Sequence, residues 1–296
     1  MSSEPETFTR KPFTVLMHSA MVLLAALVVL RLVLEVAGVP PMVTRFFSAT
    51  VGLFFVAIYV AAIGPLRGGL RTFTQHLLPA LILSAWTEAW VIAATILAAL
   101  LHLSRSHFAE KEDYGNWSHL GRHVFEHFIA IGALFVIVLV LMTAIHILWR
   151  WPVTVAPGAA LAVFVIMRFW TEAMGLDTLR TAAWSSSTLV LVSGFYLGGV
   201  GARVGLTEAR QLLLPSLVLG WVWRFWVFLA TVLAAVAPFF KTHFFDASGG
   251  RIPLRLLGML AGGVVEGAFV GMFLWGFAVW MACATGPGNA PPSSGA

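Results

Sequence analysis

Gln75-His76-Leu77-Leu78-Pro79 is answered by Gln211-Leu212-Leu213-Leu214-Pro215, 136 residues further on. At the same offset Leu81, Leu83, Trp90, Val91, Ala94, Thr95, Leu97, Ala98 and Ala99 fall on Leu217, Leu219, Trp226, Val227, Ala230, Thr231, Leu233, Ala234 and Ala235. Low complexity in an apolar helix does not readily place so many identities without a gap. Upstream, Arg67, Gly69 and Leu70 fall on Arg203, Gly205 and Leu206, and downstream His107-Phe108 falls on His243-Phe244. A slip of one residue sets Arg31, Glu35 and Gly38 on Arg168, Glu172 and Gly175. The chain reads as one unit written twice, loops included.

The medium for that unit follows from composition. Charged residues are 10%, hydrophobic residues 59% and the mean hydropathy is +0.91, outside the range of ordinary water-soluble domains. Apolar stretches near 13–38, 46–64, 75–103, 123–149, 152–175, 181–202, 210–238 and 253–282 suit a hydrocarbon layer of about 30 Å, which takes roughly 20 helical residues to cross. The expected fold is therefore all-α: a polytopic integral membrane protein of about eight transmembrane helices, arranged as two tandem four-helix repeats. An even number of spans makes each copy enter from the same side, so a pseudo-twofold axis along the membrane normal would relate them. The corresponding segments are a polar N-terminus at 1–12, repeats at 13–149 and 150–283, and a disordered tail at 284–296, rich in Gly, Pro and Ser.

Twelve tryptophans and 23 phenylalanines suit membrane interfaces and helix seams. The single cysteine, Cys283, excludes an internal disulfide. A net charge of +5 spread thinly over short loops points to a lipid bilayer as partner, with no nucleic acid. Other membrane subunits or a second copy are further expected partners, and the inner, cytoplasmic-type membrane of a bacterium is the expected location. The first apolar stretch is too long for a signal peptide and carries Arg31 and Glu35, so it is expected to be retained. Basic loop residues divide almost evenly between the two faces, which leaves orientation open.

Charges inside the apolar stretches are the first candidates for function, because each one needs a partner or a wet cavity. Glu88 and Arg224 occupy equivalent positions in the third and seventh stretches, an acid answering a base. A contact between them is expected, serving either as a docking clamp or as an ion-binding site. Arg31 with Glu35, and Arg168 with Glu172, sit four apart near helix C-termini. That order is the weaker one for a helical pair, so contacts beyond the helix are the better reason for the motif. Glu266 has no counterpart and is expected to be paired with one of these arginines or protonated.

The histidines are the second set. His102, His107, His119, His123 and His127 bracket the 103–122 loop with Glu110, Glu112, Asp113 and Glu126, a mixture that divalent metals bind. His123-Val124-Phe125-Glu126-His127 spells the order of inverted zinc proteases, on a chain with no soluble catalytic domain around it. Histidines on neighbouring helices also serve as axial ligands, so haem b is the other cofactor these residues suit, with His18, His76 and His146 at the opposite side. No phosphate loop, nucleophile elbow or C-x-x-C pair is present, so the chemistry of soluble enzymes has no foothold. Three readings follow: a small transporter or channel-like protein with its path at the repeat interface, a non-catalytic subunit of a larger membrane complex, or a haem-binding or quinone-linked electron-transfer subunit.

Overall fold

The computed structural model describes residues 13–176, 181–206, 208–236, 242–245 and 252–285, without the side chains of 182, 202 and 285. The expected polar N-terminal segment and all but the start of the expected tail lie outside these residues. Among the described residues the secondary structure is helical throughout, with no strand. Seven helices are long and apolar enough to cross a membrane. The chain divides into two compact units, Met1–His146 and Ile147–Ala296.

Unit 1 contains α1 (Phe13–Val36), the single turn α2 (Pro41–Thr44), α3 (Ala49–Ile63), α4 (Thr74–Leu100) and most of α5 (Trp117–Leu148). α1 stops at Gly38, whose φ of +81° lets its N–H turn back to the carbonyl of Glu35. α4 begins where the Gln75 side chain folds back and accepts from the N–H groups of Arg71 and Thr72. That cap starts the helix at Thr74, so Pro79 falls in the second turn. Pro215 is likewise inside its helix. α1, α3, α4, the loop after α4 and α5 meet in a small-residue core that includes Val28, Ala49, Ala94, Ala98, Phe108 and Leu120. The Trp86 indole N–H donates to the Met21 carbonyl at 2.9 Å, tying α4 to α1.

α5 departs most from expectation. Its helix begins at Trp117, about two turns before the expected start at 123. The apolar run starts late, but His119 N–H is accepted by the Asn116 side chain, which opens the helix within the polar stretch. His119, His123 and His127 thereby become successive turns of one helix face.

Unit 2 contains α6 (Val155–Ala173), α7 (Ser186–Arg203), α8 (Ala209–Val236) and α9 (Ile252–Thr285). α7, expected as the sixth full span, is shorter than the others; its 18 residues rise about 27 Å against a hydrocarbon layer of about 30 Å. Here glycine decides the packing. A Cβ on Gly220 would lie 2.2 Å from the Gly267 carbonyl oxygen and 2.7 Å from the Gly271 nitrogen, so α8 and α9 touch backbone to backbone. Gly198 approaches the Ala278 carbonyl in the same way, bringing α7 against α9. In lipid no hydrophobic effect drives helices together, and such close approach is what holds them. Indole N–H groups complete the seams: Trp221 donates to the Val264 carbonyl, Trp223 to Ser186 Oγ, Trp226 to the Gly158 carbonyl and Trp275 to the Ala209 carbonyl.

Gly220→Val is expected to destabilise unit 2 by about 1–3 kcal/mol, the usual range for overpacking, whereas Gly262→Ala, with nothing within 4 Å of its Cβ, should be neutral. Melting of the two detergent-solubilised variants, followed by size-exclusion fluorescence, checks this. Equal melting temperatures would mean that α8 and α9 do not meet at Gly220.

Candidate functional site

Asp113 organises the loop face of unit 1. It closes a one-turn 3-10 helix, Lys111–Asp113, through a reciprocal cap with Glu110, whose N–H donates to Asp113 Oδ2 at 2.8 Å. This turns the carboxylate inward, and its side chain is fully buried. His119 Nδ1 donates to Oδ1 at 2.7 Å and His123 Nδ1 to Oδ2 at 2.9 Å. Burial pushes the Asp113 carboxyl up, but the hydrogen bonds from His119, His123 and Glu110 outweigh it and leave the group below the usual carboxylate range.

One turn deeper, the rings of His123 and His127 stack with centres 5.3 Å apart and planes 24° apart. His127 Nδ1 lies 2.8 Å from Glu88 Oε2. Glu88 is 5% exposed and stands near the middle of α4, about 18 Å along the helix axis from its end at Leu100. An ordered series therefore runs from the loop face toward the centre of the bilayer: His119, Asp113, His123, His127, Glu88. The imidazoles of His119, His123 and His127 all turn Nδ1 to a carboxylate, which leaves Nε2 facing elsewhere.

The remaining histidines of the expected cluster have separate surroundings. His107 belongs to a staple: Glu35 Oε2 accepts from the His107 N–H at 3.0 Å and from its Nδ1 at 2.7 Å, while Glu35 Oε1 accepts from Arg31 Nε at 3.1 Å. The carboxylate thus pins the loop after α4 to the end of α1, a contact beyond the helix that explains an otherwise unfavourable helical order. Unit 2 holds the same constellation, with Glu172 accepting from the His243 N–H at 2.9 Å, from His243 Nδ1 and from Arg168 Nε at 3.2 Å. His102 has a left-handed backbone, φ +50°, and stacks on Tyr114 with ring centres 5.1 Å apart. Glu126 is exposed on α5. Among the described residues no three His, Cys, Asp or Glu side chains converge as metal ligands would.

Glu88 and Arg224 each have a partner inside their own unit. Arg224 Nη2 binds Glu266 Oε2 at 2.9 Å, and its guanidinium lies over the Trp223 ring at 5.3 Å. Arg224 is thus the partner of Glu266. The Glu88–His127 partnership was not foreseen from sequence, since 39 residues separate the two. The Asp113 partnership carried a signal in the sequence, an acid six residues ahead of a histidine that recurs every fourth residue at 119, 123 and 127.

Comparison with known proteins supplies no relative: no family model matches the chain, and no curated protein or solved structure matches it significantly. Its class rests on its helices, and by them it is a multi-pass integral membrane protein.

Because the Asp113 carboxyl is held below its ordinary value, its bonds stabilise the loop above the pKa of the unfolded chain and cease to do so as pH falls through the lowered value. Asp113→Asn should melt lower than wild type near neutral pH, and the difference should shrink on acidification through that range. A difference independent of pH would rule out the ionised carboxylate as its source.

Proposed function

We propose that the protein is a small membrane carrier whose transported or coupling ion is a proton, moving through unit 1. The observation that carries this reading is the Glu88–His127 pair near mid-membrane, joined through stacked imidazoles to Asp113 and His119 at the loop face. An intramembrane acid is costly unless it is paired or serves an ion path. A carboxylate against an imidazole can hold one proton on either group, which a permanent Arg–Glu pair cannot do. A buried clamp accounts for Glu88 and His127 alone; it does not account for a continued series of titratable groups out to water. The all-helical spans suit an inner, cytoplasmic-type membrane, where outer membranes use closed barrels.

We also read the chain as an internal duplication. The Arg31–Glu35–His107 and Arg168–Glu172–His243 constellations support it, as do the left-handed glycines Gly38 and Gly175 at helix ends. The left-handed glycines after α3 and α7 are Gly68 and Gly205, so the wider register extends to that turn and the one-residue slip falls between it and Gln75 or Gln211. Gly68, and not Gly69, is then the partner of Gly205.

Purified protein in lipid vesicles loaded with a pH-sensitive dye, with an imposed potassium diffusion potential, tests the proton reading. Wild type is expected to acidify or alkalinise the lumen well above empty vesicles, and Glu88→Gln and His127→Gln to lower that rate at least tenfold while eluting as folded protein. Wild type at the empty-vesicle rate, or Glu88→Gln at the wild-type rate, would leave a structural subunit as the better account. A Soret band or stoichiometric metal in the same preparation would turn these histidines to cofactor binding instead.

A further inference from the structure

At the other end of the α4–α5 pair, away from the Asp113 loop, two more histidines meet. His76 lies in the first turn of α4 and His146 near the end of α5, their ring centres 4.6 Å apart at 66°. His76 is fully buried. Its Nδ1 sits 2.8 Å from the Thr72 carbonyl oxygen, and a carbonyl only accepts, so Nδ1 carries the proton and Nε2 is a bare lone pair. That Nε2 is buried without a protein partner, as is Nδ1 of His146. His146 as a whole is only half-buried, so one edge of its ring faces inward while the ring remains reachable from outside.

Leaving two buried imidazole nitrogens unbonded costs about 1–3 kcal/mol each, and apolar side chains would fill the same space without that cost. Nor is a carboxylate, a third ligand or a helix cap present among the described residues to explain them. The feature that fits is exchange between the rings. With centres this close, a modest rotation brings the two inward nitrogens to a hydrogen bond of about 3 Å. Further along the buried face of α4, two turns from His76 and one turn from Glu88, Ser84 Oγ is also buried without a protein partner. A buried hydroxyl without a protein partner is the kind of group that a buried water satisfies, and the path requires one there.

We infer that His76 and His146 are the proton-exchange pair at the far face of unit 1, completing with Ser84 and Glu88 a titratable path across the unit, an inference that rests on the proton-carrier reading. A proton from bulk water adds to Nε2 of His146, and the imidazolium releases its Nδ1 proton to Nε2 of His76. His146 is left neutral with its proton on Nε2, and rotation of its half-buried ring toward water exchanges that proton back to Nδ1 before the next turnover. His76, now doubly protonated and held by the Thr72 carbonyl, passes its Nε2 proton along a file of several waters, over roughly 12 Å of helix axis to Ser84 and about 6 Å more to the Glu88–His127 pair. No proton is made or lost, and the direction of net flow follows the gradient.

The vesicle assay decides the matter with His76→Gln and His146→Gln, which keep a polar side chain of similar reach. Both are expected to fold and to carry protons at least tenfold more slowly than wild type. In these variants the infrared carboxyl band that Glu88→Gln removes should still respond to acid, because the half of the path between Asp113 and Glu88 is intact. Either folded variant conducting at the wild-type rate would overturn the inference while leaving Glu88 in place, and loss of that carboxyl response would make the pair a structural element. Wild-type vesicles without flux would instead overturn the reading on which it rests.

Discussion

A charge in hydrocarbon must be neutralised by something within reach, and most of the polar organisation of this protein follows from that constraint. Removing a carboxylate from water costs several kcal/mol, which only close partners recover. Four acids set within the spans have such partners: Glu35 has Arg31 and His107, Glu88 has His127, Glu172 has Arg168 and His243, and Glu266 has Arg224. Each partner lies in the same unit as its acid. The pairs differ in what they can exchange. Those with arginine hold a fixed charge, whereas Glu88 with His127 has a partner that can lose its proton.

The same constraint explains the staples. Glu35 and Glu172 close no helical turn usefully, since an acid near a helix C-terminus faces the negative end of the dipole. They instead accept a backbone N–H and an imidazole from loops far along the chain, at sequence separations of 72 and 71. One buried charge thereby sets where the loop after α4 runs. In unit 1 this is the loop that carries Asp113 inward to meet His119 and His123. The structural staple and the candidate path are thus neighbours with different chemistry.

Apolar packing supplies the scaffold on which these pairs sit. In unit 2, glycines allow α7, α8 and α9 to approach until backbone meets backbone, and tryptophan N–H groups close on carbonyls across the seams. In unit 1 the corresponding role falls to alanines and one indole bond. Unit 2 therefore has the denser apolar seams and a fixed Arg224–Glu266 pair, and unit 1 has eight of the nine histidines.

How much was legible in the chain itself divides along physical lines. Hydropathy and length are local properties, so the helical, membrane-spanning class could be read from the sequence, as could the intramembrane acids and the Arg-Glu motif at two places. A helix start set by a side-chain cap was read less well: Asn116 starts α5 at Trp117, six residues before the expected 123, within polar residues where an apolar run gives no signal. Which groups meet was decided only by tertiary structure. Glu88 joins His127, 39 residues away in its own unit, and the clustered histidines separate into distinct environments, because a partner is chosen by helix rotation and loop path, and neither is written in the spacing of residues along one segment.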